Sequence, residues 1–288
     1  MITPEQVKNL REKTGAGMMD CKMALGESGG DMEKASELLR KWGILTAAKK
    51  QGRTAADGTI GHFFADGGKL GVLVEVNCET DFVVKTPDFQ NYVKNLTEIV
   101  REKNPKDLDA LLNINHAGST LREHETTLVA KIREKLGVRR FVRWEADGSR
   151  TKLAQYIHAG SKIGVMIYFS DPSAKLDNGF AREIAMHIAA MSPQYVRRDD
   201  VPANVLAKEK EILLAQMAKE KKPPEIMEKI VTGKLSKYYS EVCLDEQIFV
   251  RDPEGKLTVG KAVAKVDPAI KIEKFVRFQV GEGIEKKV

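Results

Sequence analysis

Residues 67–74 have the sequence GGKLGVLV, and residues 160–167 repeat the pattern as GSKIGVMI. Each copy combines a glycine-containing turn with a run of apolar, partly β-branched residues, which is typical of a strand that follows a tight turn. The strands predicted on either side of the two turns are Thr59–Ala65, Leu70–Asn77, Leu153–Ala159 and Ile163–Ser170. The repeat therefore predicts two β-hairpins of the same kind.

An amphipathic helix is predicted after each hairpin, opening near Phe89 and near Phe180, because apolar residues recur there at helical spacing. A hairpin covered by a helix is an α+β unit. We therefore predict an α+β protein whose core has two related subdomains, over residues 55–145 and 146–288. The other predicted core elements are a joining helix at Leu121–Leu136 and strands of the second sheet at Gln247–Val250 and Lys274–Val280.

The first 54 residues are predicted to form a separate helical module. They contain three short amphipathic stretches, the first of which begins with Thr3 as a cap and Pro4 in the first turn. Trp42 supplies the one aromatic anchor of the third stretch. The pattern indicates a three-helix bundle, and Gly43–Thr59 is predicted to be a polar linker to the core.

A helical hairpin is predicted at about residues 202–240, where Lys, Glu, Ala, Ile and Leu dominate on both sides of the sequence KKPP at 221–224. A helix cannot run through two prolines, but it can restart just after them. We therefore predict two antiparallel helices that project from the second subdomain. Their charge and length suit an arm that contacts another protein; the alternative is a brace for the subdomain itself.

The charge balance gives only weak support for nucleic-acid binding. The net charge is +6, but 47 basic and 41 acidic residues are interspersed along the 288-residue chain. The strongest basic-aromatic stretch is Arg139–Trp144, whose alternation predicts a strand with Phe141 or Val142 on a buried face and the arginines in solvent. An RNA-binding or ribosome-associated protein is therefore the second hypothesis.

Several features favour a cytoplasmic protein. No apolar run approaches the roughly 20 residues that span a bilayer, and the start, MITPEQVKNLREK, lacks the apolar core of a signal peptide. Cys21, Cys78 and Cys243 are odd in number and far apart, which indicates buried, unpaired thiols in a reducing compartment.

Partial catalytic motifs lack residues that their chemistry requires. Residues 232–235 (TGKL) have no hydroxyl after the lysine of a phosphate-binding loop. His124-Glu125 is followed by Leu128 where a zinc protease needs its second histidine. Residues 26–30 (GESGG) join two predicted helices, whereas a nucleophile elbow follows a strand. We therefore predict no enzyme activity, no cofactor and no metal site.

Two long stretches resemble a known family. Residues 10–25 (LREKTGAGMMDCKMAL) and 75–83 (EVNCETDFV) are similar to the signature segments of elongation factor Ts, the guanine-nucleotide-exchange factor for elongation factor Tu. Residues 185–190 (AMHIAA) and 280–286 (VGEGIEK) extend the resemblance over essentially the whole chain, in the right order. The resemblance implies a ubiquitin-associated-like N-terminal module, two duplicated core subdomains and a coiled-coil hairpin.

The resemblance also implies a partner and the residues that contact it. The partner is elongation factor Tu, with no direct nucleic acid and no membrane; whether two factors pair with two partners stays open. A phenylalanine in the family's Thr-Asp-Phe-Val loop inserts near the magnesium site of the partner's GTPase domain, the N-terminal module meets the same domain, and a histidine contacts the third domain. The positions that match are Thr80, Asp81, Phe82, Val83, Arg11, Met18, Met19, Ile132 and His158.

The chain departs from the family pattern at two places. Family members often carry glycine after the isoleucine of Ala-Lys-Ile, whereas Arg133 stands here, and we assign it no contact. Some members extend into a further helix that touches the partner, and we expect that contact to be missing beyond Val288.

Without the family, the same residues have simpler explanations. Large aromatic residues are usually buried, which favours Phe82 beneath its own subdomain, and Asp81 suits a turn or helix cap. Met18 and Met19 are adjacent, so both cannot face one core, and one exposed methionine would suit a partner surface. His158 stands where the first hairpin has Ala65, which indicates either a contact or a plain solvent histidine.

Overall fold

The computed structural model describes residues 2–217 and 224–285 and shows a mixed α+β protein. Its helices are α1 (Pro4–Thr14), α2 (Met18–Glu27), α3 (Met32–Lys50), α4 (Asp81–Val84), α5 (Pro87–Lys103), α6 (Leu108–Leu112), α7 (Leu121–Ile132), α8 (Asn178–Met191), α9 (Ala203–Met217), α10 (Pro224–Val242) and α11 (Val259–Val266). Its strands are β1 (Asp57–Phe64), β2 (Leu70–Cys78), β3 (Asn115–His116), β4 (Ser119–Thr120), β5 (Leu136–Glu145), β6 (Thr151–Ile157), β7 (Ile163–Ser170) and β8 (Lys271–Gln279).

Two antiparallel sheets of three strands have the same construction in outline, with the orders β1-β2-β5 and β6-β7-β8. In each sheet a single 3₁₀ turn joins the first two strands, and Gly67 and Gly160 occupy equivalent places there with φ of 78° and 80°. Glycine adopts this left-handed conformation without strain. The two hairpins predicted from the repeat are confirmed, with boundaries that differ by one or two residues.

The glycine at the fifth position of each repeat, Gly71 or Gly164, allows the two sheets to lie against each other. A Cβ at Gly71 would lie 2.3 Å from the sulfur of Met166, and a Cβ at Gly164 would lie 3.0 Å from Ile60. Ile60, Leu73, Leu153, Met166 and Phe278 form the buried cluster between the sheets. The repeated glycines therefore serve the contact between the two sheets as well as the turns.

Helices cover the outer faces of both sheets. Helix α5 packs on the first sheet through a buried face that includes Phe89 and Leu96, and α8 packs on the second through Ile184 and Ile188. The order helix, sheet, sheet, helix gives the core its layers.

The N-terminal helices α1, α2 and α3 enclose a small core of their own, which includes Leu10 and Leu25. Helix α3 also packs along α7, where a Cβ at Gly43 would lie 3.2 Å from the Cβ of Ala130. This close approach explains why Gly43 lies within a helix. The linker predicted from Gly43 was wrong over its first part, because α3 continues to Lys50.

Other boundaries also differ from the sequence predictions. The joining helix ends at Ile132 instead of Leu136, because Arg133 takes a left-handed conformation and β5 begins at Leu136. Gln247–Val250 is not a strand: Ile248 makes one isolated bridge with Thr258, so no ladder forms. Helix α11 was not predicted from the sequence.

Helices α9 and α10 occupy the predicted hairpin region and contact each other. Val201, Val242 and Cys243 are buried at their base, with Val205 and Tyr238 packed against them. The predicted turn at residues 218–223 lies outside the described residues. None of the helices in the described part of the chain has the length and apolarity that a bilayer crossing requires.

The arginines of β5 were predicted to lie in solvent, but the structure shows two of them paired with a buried carboxylate. Arg139 and Arg140 form ion pairs with the fully buried carboxylate of Glu75, at N–O distances of 3.1 and 2.6 Å. The backbone N–H of Gly281 donates to the same carboxylate at 3.0 Å, and Asn77 donates at 3.2 Å.

Phe141 and Val142 of β5 pack on opposite sides of the strand. Phe141 packs against the core under α5, and Val142 packs against the cluster between the sheets.

All three cysteines are buried and unpaired, as predicted. Burial raises the pKa of Cys78 to about 12 and that of Cys243 to about 11, and it also raises the pKa of Cys21. These thiols stay protonated and unreactive at neutral pH.

His187 gives the fold a predictable pH dependence. Its buried ring accepts a hydrogen bond at Nδ1 from the Val250 N–H (3.3 Å), so Nε2 carries the proton and donates to Gln247 Oε1 (2.9 Å). Burial lowers the pKa of His187 below its ordinary value of 6.5.

We expect the unfolding free energy to fall as the pH drops below about 6.5, because the unfolded chain then binds a proton that the folded ring rejects. Above that pH this contribution is constant. The slope due to one such group is at most about 1.4 kcal/mol per pH unit. Urea unfolding of wild type and His187→Gln at pH 7 and pH 5 measures it. An equal loss of stability in both proteins would contradict the assignment.

Candidate partner-binding surface

Helix α4 presents Phe82 to solvent at the end of the first sheet. This single turn follows β2, and its neighbouring residues point in opposite directions: Val83 is buried in the core under α5, whereas Phe82 is 75% exposed. The interpretation that Phe82 lies beneath its own subdomain was therefore wrong. Val83 anchors the helix, and Phe82 is free to meet another surface.

Hydrogen bonds hold this turn in place. The backbone N–H and the hydroxyl of Thr80 donate to the two carboxylate oxygens of Glu134, at 3.0 and 2.8 Å. The thiol of Cys78 lies 3.1 Å from the carbonyl oxygen of Thr80.

Asp81 does not cap the helix. Thr80, and not Asp81, occupies the N-cap position, so the cap interpretation of Asp81 was wrong. Asp81 instead pairs with Lys85 at 2.9 Å, and the Lys85 ammonium lies 5.6 Å from the centre of the Phe82 ring.

The start of α2 is a second apolar surface. Met18 is 50% and Met19 is 64% exposed, so both methionines face solvent where the sequence suggested that only one would. Arg11 is exposed in the last turn of α1. Met23, Ile44 and Leu45 are also exposed on the N-terminal helices, although they were not predicted from the sequence to be surface residues. Ile44 and Leu45 follow Trp42 and lie outside the buried stripe of α3. Their position outside this stripe is the sequence signal by which their exposure could have been predicted.

The segment after α7 connects these two surfaces. Arg133 follows the helix with φ of 63° and pairs with Asp20 of α2 at 2.5 Å. Glu134 holds Thr80, as described above. Ile132 is half-buried against the core under α5, so it belongs more to that core than to the exposed surface.

His158 lies on the other hairpin. It is exposed at the N-cap position of the 3₁₀ turn between β6 and β7, the place that Ala65 holds in the first hairpin. The Tyr156 hydroxyl lies 3.0 Å from its Nδ1 and orients the ring. His158 thus belongs to a turn of the second sheet, whereas Phe82 belongs to the turn that follows β2 of the first.

Within residues 2–217 and 224–285, no three His, Cys, Asp or Glu side chains come together as a metal site. The prominent surface features of this part of the chain are exposed apolar side chains on short, braced elements, which makes them candidates for contact with another protein. The fold and this surface therefore define an α+β protein suited to act by docking on another protein.

Comparisons with known proteins show which family within this class the chain matches. The family model described as elongation factor TS matches residues 79–282. The elongation factor Ts of Halothermothrix orenii is 44% identical over 293 aligned residues, which cover 99% of this chain and 94% of the relative. That of Alkalilimnicola ehrlichii is 46% identical over 286 residues, with the same coverage, and that of Clostridium kluyveri is 43% identical over 295 residues, covering 100% and 95%.

The chain belongs to the elongation factor Ts family. Members of this family are translation elongation factors that promote nucleotide exchange and are not enzymes.

Proposed function

We propose that this chain binds elongation factor Tu·GDP and accelerates the release of GDP, so that GTP can bind. The observation that carries the proposal is the position of Phe82, which is 75% exposed on a turn that Val83 and Glu134 hold to the core. An exposed aromatic residue on a fixed base can enter a partner without first paying the entropy of ordering its loop.

The organisation of the chain fits this role. The three N-terminal helices form a ubiquitin-associated-like module over 1–54, and the two sheets form duplicated subdomains over 55–145 and 146–288. Helices α9 and α10 belong to an antiparallel coiled-coil hairpin at about 202–240. The shared strand order and the equivalent turns of the two sheets support the duplication.

The mechanism is coupling between two ligands of one GTPase. If the factor lowers the partner's affinity for GDP, GDP lowers the partner's affinity for the factor by the same ratio. Phe82 enters the GTPase domain and displaces the elements that support its magnesium ion, with Thr80, Asp81 and Val83 shaping the turn. Loss of magnesium leaves the charge of the diphosphate uncompensated, which weakens GDP.

The remaining contacts supply the binding free energy for this strain. Met18, Met19 and Arg11 meet the same GTPase domain, Ile132 supports the turn from below, and His158 meets the third domain. Methionine suits such a surface because its side chain adapts to the partner. The complex forms in the cytoplasm and is compatible with a larger assembly of two factors and two partners.

The basic stretch of β5 does not favour the RNA-binding alternative. Arg139 and Arg140 are held by Glu75, and the side chain of Arg143 is 13% exposed. These arginines hold the fold together and leave little free charge for phosphate groups.

Stopped-flow release of fluorescent GDP from purified elongation factor Tu tests the function. Substoichiometric amounts of this chain should accelerate release over repeated turnovers, with an excess of unlabelled GDP as the chase. The same release rate with and without the chain, over a range of magnesium concentrations, would contradict the proposal.

A further inference from the structure

Three consecutive residues, Arg133, Glu134 and Lys135, form what we call the junction turn. They lie between the end of α7 and the start of β5. Each makes a polar contact with a different part of the chain, so this short segment connects elements that are distant in sequence.

Arg133 reaches the N-terminal helices. Its guanidinium pairs with Asp20, which lies in the first turn of α2 beside Met18 and Met19, at a sequence separation of 113 residues. The φ of 63° is unfavourable for a residue with a side chain, and such conformations persist where the surroundings impose them. Glycine would relieve this strain but could not make the ion pair.

Glu134 reaches the turn that carries Phe82. Its carboxylate accepts hydrogen bonds from both the N–H and the hydroxyl of Thr80, the residue at the N-cap position of α4. A carboxylate that accepts two bonds from one residue fixes the direction of the backbone there. The orientation of Phe82 therefore depends on Glu134.

Lys135 closes the connection. Its backbone N–H donates to Glu79 at 2.6 Å, and its ammonium donates to the carbonyl oxygens of Gln51 and Arg53 at 2.7 and 2.8 Å. Arg53 in turn pairs with Glu79 at 3.1 Å. Burial alone would raise the pKa of Glu79, but the bonds from Lys135 and Arg53 outweigh it and hold the pKa below its ordinary value.

We propose that the junction turn, added to the packing of α3 along α7, fixes the position of the Met18–Met19 surface relative to Phe82, and that Arg133 and Glu134 are positioning residues for nucleotide exchange. Neither needs to touch the partner. Two surfaces held at a fixed separation bind one partner more tightly than two loosely joined surfaces, because the second contact forms at a higher effective concentration. The kinetic part of this inference rests on the proposed function, whereas the positioning of the two surfaces does not.

The two residues should give different kinetic signatures. Arg133→Gly removes the ion pair while it relieves the backbone strain, so the chain should fold normally. We expect about a two- to fivefold higher concentration for half-maximal GDP release and a nearly unchanged maximal rate, as the loss of one partly exposed ion pair allows. Glu134→Ala frees the Phe82 turn, and we expect about a tenfold lower maximal rate with a smaller change in the half-maximal concentration.

A matched control uses an ion pair at the other end of α7. Arg122 pairs with Asp109 at 2.8 Å, both side chains are more than half exposed, and the pair touches neither surface. Arg122→Ala should leave both kinetic parameters unchanged. Asp20→Asn should reproduce Arg133→Gly, and the double variant should be no worse than either single variant, because both remove one contact.

A distance measurement tests the positioning without the partner. Spin labels at Lys22→Cys on α2 and Lys85→Cys after α4 can be attached selectively, because the native thiols are buried. We expect one narrow distance distribution in the otherwise wild-type chain and a measurably broader one in Arg133→Gly, in which the packing of α3 along α7 is kept. An unchanged distribution would overturn the proposal. If wild type releases no GDP, the exchange function fails, but the distances still decide whether the junction turn fixes the two surfaces.

Discussion

Phe82→Ala is expected to lower the maximal rate of GDP release by about 10- to 100-fold while the variant still binds elongation factor Tu. The coupling between two ligands of one protein is typically about 1–3 kcal/mol, and a single wedge that carries most of it accounts for such a loss. The other contacts are intact in the variant, so its affinity for the nucleotide-free partner should change less. Stopped-flow release at saturating factor, together with direct titration of binding, separates the two effects.

The fold should not respond to this change. Phe82 is 75% exposed, and substitution of an exposed residue usually alters stability by less than about 0.5 kcal/mol. Phe64→Ala is a matched control, because Phe64 is also a partly exposed phenylalanine (38%) but lies at the end of β1. It should release GDP at the wild-type rate. A Phe82→Ala variant that exchanges as fast as this control would refute the wedge mechanism.

The hairpins and the covering helices could be predicted because their signals are local. A glycine turn followed by a β-branched run specifies a strand pair within about fifteen residues, and the stripe around Phe89 specifies the helix that follows. The repeat supports the same prediction a second time, since the same signals recur at Gly160. Local patterns of this kind do not depend on how the rest of the chain folds.

The sequence predictions were wrong where a contact with a residue far away in the sequence determines the local structure. Arg133 ends α7 in a left-handed conformation next to Asp20, which is 113 residues away. Gly43 continues α3 because Ala130 lies against it. Arg139 and Arg140 are only about one-third exposed because they pair with the buried Glu75, which is 64 and 65 residues away. No periodicity within one segment contains that information.

The candidate site was predicted in part for the same reason. The resemblance identified Phe82, but the residues alone favoured a buried phenylalanine, because the bond from Thr80 to Glu134 spans 54 residues. The one local hint was the polar sequence before Phe82, which places it after the strand instead of within it. The exposed Ile44 and Leu45 could have been found by asking which apolar residues lie off the stripe of α3.

Glu75→Gln is expected to lower the unfolding free energy by about 2–4 kcal/mol. Removal of one partner from a buried ion pair costs about 3–5 kcal/mol, and we reduce this figure because the side chains of Arg139 and Arg140 are 29% and 33% exposed and can reach water. Glutamine keeps the shape of the glutamate side chain but loses its charge. Its NH2 group is a hydrogen-bond donor, and it would face other donors where it needs acceptors. Urea unfolding at pH 7 measures the loss.

The control is Glu145→Gln on β5 of the same sheet. Its carboxylate is 65% exposed and pairs with Arg143 at 3.2 Å, so we expect a change of less than about 0.5 kcal/mol. Similar losses in the two variants would contradict the role of Glu75.

Hydrogen exchange shows where the fold loosens. The N–H of Gly281 donates to Glu75 from the segment that follows β8, so the carboxylate joins the first sheet to the end of the second. In Glu75→Gln this amide should lose protection before the amides of β2 do, because it loses the strength of its own acceptor, whereas β2 keeps its pairing with β1 and β5. Loss of protection at the same rate throughout the core would mean that the carboxylate stabilises the fold as a whole and not this connection.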